Sequence, residues 1–158
     1  MNWIFWAPLA AAGLHIAEEF VYPGGFAAWY RRYKSGTARS ITTRFLVIIN
    51  VLLLVACYDI GALGPQPIGV AAWLTMMALL AANGMWHLRA AVTTRSYSPG
   101  VVTGLSLYVP LAAYGYFRFL RDGQASFSTA AAALLIGASY QLWSNAFHGR
   151  RARLRPES

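Results

Sequence analysis

The chain has 158 residues, of which 58% are hydrophobic and only 11% are charged, and it carries a formal net charge of +8. Soluble domains average about 25% charged residues, so this composition excludes an ordinary soluble domain and indicates an integral membrane protein. A single cysteine, Cys57, excludes an internal disulfide.

The first apolar run extends from Trp3 to Tyr22 and contains His15, Glu18 and Glu19. It lacks a basic leader and holds two glutamates, so we expect a retained helix rather than a cleaved signal peptide. On a helix the three positions are i, i+3 and i+4, which places the side chains on one face. A carboxylate near the bilayer centre costs roughly 2.5–3.5 kcal/mol, so the pattern predicts a bound cation or proton.

Four further apolar runs follow, and the sequence predicts an all-α membrane protein with a bundle of about five transmembrane helices. The runs cover residues 3–22, 41–60, 67–92, 100–120 and 127–148. They form one predicted domain, 1–149, followed by a basic cytoplasmic tail, 150–158. The connection 23–40 fits either a short interfacial helix or an ordinary basic loop.

The positions of the basic residues predict the orientation in the membrane. Eleven of the thirteen Lys and Arg residues lie in 31–44, 89–95 or 150–155, which five spans place on one side. The positive-inside rule makes that side cytoplasmic, so we expect the N-terminus outside and the C-terminus inside. The topology thus accounts for the net positive charge.

We expect a multi-pass protein of the bacterial cytoplasmic membrane. Its expected partner is the lipid bilayer and not nucleic acid, and a homo-oligomer stays open.

This topology brings polar groups from separate spans to one depth. His15, His87 and His148 all fall in or near the inner half of parallel spans. Three asparagines accompany them. Asn50 lies in the second apolar run, and Asn83 and Asn145 each lie one turn before a histidine. The convergence predicts a common site.

Imidazole and carboxylate together are typical ligands of zinc or non-haem iron, so we predict a divalent metal cofactor, zinc first and iron second. The predicted metal ligands are His15, Glu19, His87 and His148. Glu18 and Glu19 are the predicted catalytic residues, one acting as general base while the other binds the metal. The three asparagines are predicted to orient the imidazoles or to bind substrate.

Structural interpretations of the same residues stay open. The two later histidines fit an interfacial belt, and the asparagines fit hydrogen bonds between helices. Either glutamate fits an ion pair with Arg44 or Arg89. A proton or ion pathway would use the same groups.

The motifs together resemble the HXXEE family of small bacterial membrane proteins. The resemblance rests on His15-x-x-Glu18-Glu19, Asn83 with His87, Tyr97-x-Pro99-Gly100-x-x-Thr103, and Asn145 with His148. It covers most of the chain and implies that the histidines and glutamates form one site. The family is uncharacterised, so the resemblance implies no particular reaction.

The leading hypothesis is a membrane-embedded, metal-dependent hydrolase that acts on a lipid or hydrophobic small molecule near the cytoplasmic leaflet. Metal-bound water, its pKa lowered toward roughly 7, would attack a carbonyl group. The alternatives are a non-haem iron oxidoreductase, a non-enzymatic cation- or proton-binding or transport protein, and a structural partner subunit.

Overall fold

The computed structural model describes residues 2–21 and 25–154, and the regular elements within these ranges are all helical. The α-helices are α1 (Trp3–Val21), α2 (Gly25–Tyr33), α3 (Thr43–Leu63), α4 (Pro67–Thr94), α5 (Val101–Thr103), α6 (Val109–Arg121) and α7 (Phe127–Arg153). A 3-10 segment, Ser35–Ser40, precedes α3, and a π-helical turn, Gly104–Tyr108, joins α5 to α6. The predicted all-α class is confirmed.

Three of the described helices, α1, α3 and α4, are long and apolar enough to cross a membrane. Their outward faces are apolar as well. On α3, five aliphatic side chains are each between 48% and 58% exposed: Val47, Ile48, Val51, Leu52 and Val55. These features indicate a membrane protein. Helical segments also coincide with the fourth and fifth predicted spans, 101–121 and 127–153, but the number of crossings stays a prediction.

A proline in α1 ties that helix to α4. Pro8 has no N–H, so it cannot donate to the carbonyl of Ile4 one turn earlier. The indole Nε1 of Trp73, on α4, donates to that carbonyl at 2.7 Å. Trp73 is fully buried in the main apolar core, with Phe5 and Phe119. The tryptophan therefore satisfies a backbone group that the helix itself leaves unpaired.

Two glycines let α4 and the π-helical turn touch backbone to backbone. A Cβ at Gly84 would lie 2.8 Å from the carbonyl oxygen of Gly104, and a Cβ at Gly104 would lie 2.7 Å from the Cα of Gly84. Small residues at such crossings are typical of helix packing in membranes. The crossing packs α4 against the π-helical turn that ends at Tyr108.

The connection between α1 and α3 is helical over most of its described length. Aromatic side chains of α2 pack with α4 in a second buried cluster, in which Trp29 and Tyr30 contact Trp86. The first turn of the predicted tail, Arg150–Arg153, continues α7. Residues 22–24, at the start of this connection, and the tail residues 155–158 lie outside the described residues.

Candidate metal centre

Three of the predicted ligands converge between α1 and α4. His15 and Glu19 are one turn apart on α1, and His87 comes from α4. Oε1 of Glu19 lies 3.6 Å from Nε2 of His15 and 3.4 Å from Nε2 of His87. One ligand atom from each residue falls within 4.8 Å of the others. Both imidazoles are buried, with only 3% and 1% of their surface exposed.

A hydroxyl group fixes the tautomer of His15. Oγ1 of Thr103 donates its single hydrogen to Oε2 of Glu18 at 2.5 Å. The same oxygen lies 2.9 Å from Nδ1 of His15, so it must accept a hydrogen from that nitrogen. In the neutral ring, Nε2 then carries a lone pair and faces Glu19. This nitrogen lies 3.6 Å from Oε1 of Glu19, and a cation or proton between the two atoms would relieve their repulsion.

His87 is held in a similar way by the loop that follows α4. Its Nδ1 lies 3.1 Å from Oγ of Ser98, which is fully buried. The two imidazole rings meet edge to face, with centroids 5.1 Å apart. Each ring is thus oriented by a hydroxyl on Nδ1, while Nε2 points toward Glu19. Partners of this kind commonly orient metal-binding histidines.

Gly100 closes the site from the same loop. Its φ is +94°, and a Cβ there would lie 2.6 Å from Cε1 of His15 and 3.0 Å from Cε1 of His87. A side chain would therefore collide with both rings, in a backbone conformation that favours glycine.

Glu18 and Glu19 have separate sets of partners. The Glu18 carboxylate accepts hydrogen bonds from the backbone N–H groups of Gly100, Val102 and Thr103 at 2.8–3.1 Å. It also accepts from the hydroxyls of Tyr97 and Thr103, both at 2.5 Å. These amides form the N-terminus of α5, where a negative charge is stabilised by the helix dipole. The structure thus gives the predicted base Glu18 five partners away from the two imidazoles.

The fourth predicted ligand, His148, lies outside the three-residue cluster. Oγ of Ser40 donates to the carbonyl of Thr37 at 2.7 Å and lies 2.8 Å from Nδ1 of His148. The serine has one hydrogen, so the histidine must be the donor to it. This contact attaches α7 to the 3-10 segment.

The three predicted asparagines have different surroundings. Nδ2 of Asn83 lies 3.2 Å from Nε2 of His15, and its Oδ1 accepts from Gln141 at 3.3 Å. Asn145 accepts instead from Nζ of Lys34 at 2.7 Å. Burial and the nearby Arg89 guanidinium lower the pKa of this lysine.

These hydrogen bonds join Asn83 to His15 rather than to His87, and Asn145 to Lys34 rather than to His148. The alternative ion pairs of a glutamate with Arg44 or Arg89 are likewise absent among the described side chains.

A cavity of about 310 Å³ adjoins the cluster. His15, Glu19 and His87 line it, together with Asn50, whose Nδ2 is buried and has no hydrogen-bond partner among the described residues. Most of its wall is aliphatic and aromatic, from α1, α2, α3, α4, the π-helical turn and α7. Leu52 and Asn145 belong to the wall and are also exposed on the surface. The volume is at the lower end of the range for small-molecule pockets, about 300–1,000 Å³.

Sequence reasoning assigned no role to several residues of the site. Gly100 and Thr103 belong to the Tyr97-x-Pro99-Gly100-x-x-Thr103 motif, whose pattern alone indicates no function. Ser98 lies within that motif, and its polar side chain in a short loop was the available signal. Tyr108 packs its ring on His15, with centroids 4.7 Å apart, and nothing in the pattern of the fourth apolar run distinguishes it.

The donor set fits a divalent metal. Tetrahedral zinc with bonds of about 2.0–2.1 Å holds its ligand atoms roughly 3.4 Å apart, close to the two distances measured from Glu19. Two histidines and one carboxylate are also the ligands of some catalytic zinc and mononuclear iron sites.

Comparison with known proteins places the sequence in one family. A model described as "Protein of unknown function with HXXEE motif" matches residues 6–115, which include His15, Glu18, Glu19 and His87. Searches of curated proteins and of solved structures gave no significant match. The match covers well over half of the chain and contains all three residues of the cluster, whereas His148 lies outside it. The chain therefore belongs to the HXXEE-motif family of proteins of unknown function.

Proposed function

We propose that this protein is a membrane-embedded, metal-dependent hydrolase whose metal ligands are His15, Glu19 and His87. The observation that carries the proposal is the convergence of both Nε2 atoms on Oε1 of Glu19. With Nδ1 of His15 committed to Thr103, its Nε2 lone pair is oriented for a cation. The ion would also remove the cost of a carboxylate within an apolar helix.

The surroundings of the three ligands support a catalytic site rather than a purely structural one. Three protein ligands leave a fourth position of a tetrahedral ion open, as in catalytic zinc sites. The cavity next to the cluster gives that position room. Asn83 donates to Nε2 of His15, and if that nitrogen bound a metal, the amide N–H of Asn83 would be free to donate to substrate or water.

The proposed reaction is hydrolysis of an acyl ester. A metal held there supplies a Lewis acid that activates water and polarises the carbonyl group. The water oxygen bonds to the acyl carbon, the bond to the alcohol oxygen breaks, and a water proton ends on the departing alcohol. The Glu19 oxygen that does not face the imidazoles, Oε2, carries this proton. We assign no base role to Glu18, because the N-terminus of α5 holds its carboxylate.

We further infer a multi-pass protein of the bacterial cytoplasmic membrane, with five spans and a cytoplasmic C-terminus. The basic residues of the 31–44, 89–95 and 150–155 segments support this orientation. Lys34 and Arg151 pack on aromatic rings at this end, with the Arg151 guanidinium 4.1 Å from the Phe45 ring centroid. Basic and aromatic groups together suit the headgroup region.

A mononuclear iron oxidoreductase is the second candidate, because two histidines and one carboxylate are also the iron ligands of non-haem oxygenases. The two candidates differ in which metal supports turnover and in whether oxygen is consumed.

The proposed function is tested in liposomes that contain the purified, chelator-treated protein and a fluorogenic acyl ester. We expect ester cleavage to return on addition of zinc and to be lost in Glu19→Gln. Asp59→Asn is the matched control, because Asp59 is exposed on α3 and does not line the cavity. Cleavage that persists without metal would contradict the proposal. Turnover only with ferrous iron and oxygen would favour the second candidate.

A further inference from the structure

We propose that the cavity binds an uncharged amphiphile through its carbonyl oxygen, which accepts hydrogen bonds from the hydroxyl of Tyr108 and the amide of Asn50. The inference deepens the proposed function, on which it rests, by naming the substrate class and two residues that select it.

The first observation is a pair of buried polar groups without partners. The Tyr108 hydroxyl and Nδ2 of Asn50 are enclosed, and neither has a hydrogen-bond partner among the described residues. Buried polar groups are nearly always hydrogen-bonded, because leaving one unpaired costs free energy of folding. Both residues line the cavity. A ligand oxygen that reached these groups would supply the acceptor that each of them lacks.

The second observation is the position of Tyr108 beside the candidate metal ligands. Its ring is 0% exposed, and it packs on the ring of His15 with the centroids 4.7 Å apart. It comes from the π-helical turn, whereas Asn50 comes from α3. Pro110, which has no N–H, follows this turn closely. Such turns are frequent at functional sites. The two residues thus belong to the cavity wall on different helical segments, and Tyr108 packs beside the cluster.

The third observation is the charge of the wall. Among the described residues that line the cavity there is no Lys or Arg, and Glu19 is the one carboxylate. In the metal-free protein, a carboxylate or phosphate head group would find no Lys or Arg side chain there and would meet the carboxylate of Glu19. A cationic head group would offer no lone pair to the two donors. An ester or amide carbonyl on an apolar chain matches both the donors and the apolar wall.

The test measures binding to chelator-treated protein in lipid nanodiscs, with empty nanodiscs as the blank. The probes are radiolabelled methyl laurate, laurate and an alkane of matched length. We expect the ester to bind more tightly than laurate or the alkane. Tyr108→Phe and Asn50→Leu should each weaken ester binding about 3- to 10-fold, as expected for one lost hydrogen bond to a neutral acceptor. Alkane binding should not change.

The control variant is Tyr116→Phe, whose hydroxyl donates to the Leu74 carbonyl outside the cavity, and it should bind the ester normally. Without ligand, Tyr108→Phe should melt no lower than wild type, because its hydroxyl loses no partner. A lower melting temperature would reveal a structural role and overturn the assignment. Equal binding of ester, laurate and alkane would also overturn it. The binding assay uses metal-free protein, so it is independent of the proposed metal site. If the protein binds the ester as expected but takes up no metal, the proposed function is refuted and this inference is not.

Discussion

Glu18 and Glu19 are consecutive on α1 but contact different groups, and the hydroxyl of Thr103 links the two sets of contacts. Thr103 donates to Glu18 and accepts from Nδ1 of His15, whose Nε2 faces Glu19. The first glutamate of the motif binds the N-terminus of α5, and the second meets the two imidazoles. Within one turn of α1, the motif therefore provides Glu18, which binds the start of α5, and Glu19, which is a candidate metal ligand.

The Thr103 hydroxyl should set the metal affinity. In Thr103→Val the shape is kept, but Nδ1 of His15 loses its acceptor and the ring loses its fixed tautomer. We expect zinc affinity, measured by competition with a chromophoric chelator, to fall about 10- to 100-fold. Thr103→Ser keeps a hydroxyl and should bind nearly as wild type. Equal affinities for the two variants would exclude the hydroxyl as an orienting group.

Gly100 should tolerate no side chain. Gly100→Ala adds a methyl group against both imidazoles at a φ of +94°, so we expect loss of metal binding as well as lower thermal stability. Gly123→Ala is the matched control, since its φ is +66° and a Cβ there meets no atom within 4 Å. That variant should show only the backbone strain, about 1–2 kcal/mol, with metal binding intact. Normal metal content in Gly100→Ala would argue against this packing.

The Gly84–Gly104 crossing should be sensitive to a single methyl group. Gly84→Ala forces backbones apart, and we expect destabilisation of roughly 1–3 kcal/mol, measured as a lower melting temperature in detergent. Gly13→Ala, at a helical glycine with no neighbour within 4 Å, should be neutral or stabilising by up to about 1 kcal/mol. Similar shifts for the two variants would contradict a close crossing at Gly84.

The orientation in the membrane is tested by reporter fusions after Ser158. A reporter active only in the periplasm should stay silent, whereas one active only in the cytoplasm should give a strong signal. The reverse pattern would refute the predicted topology.

The helices could be predicted because their apolar length is a local property of the sequence. The pairing of His15 with Glu19 was also accessible, because positions i and i+4 share a helix face. The partners of Glu18 could not be predicted, because three of the five are backbone amides at the start of another helix, some eighty residues later. His148 illustrates the same limit: its place near the end of the fifth apolar run follows from the sequence, but its contact with Ser40 depends on how α7 packs against the 3-10 segment.

The most direct test of the central claim is elemental analysis of the detergent-purified protein, never exposed to chelator or a nickel column. We expect about one zinc or iron ion per chain in wild type and in Glu18→Gln, which should melt at a lower temperature because it loses charged hydrogen bonds at α5. Glu19→Gln and His87→Ala should be folded but metal-free. A folded, monodisperse wild type without metal, or full metal content in Glu19→Gln, would contradict the assignment of the two glutamates.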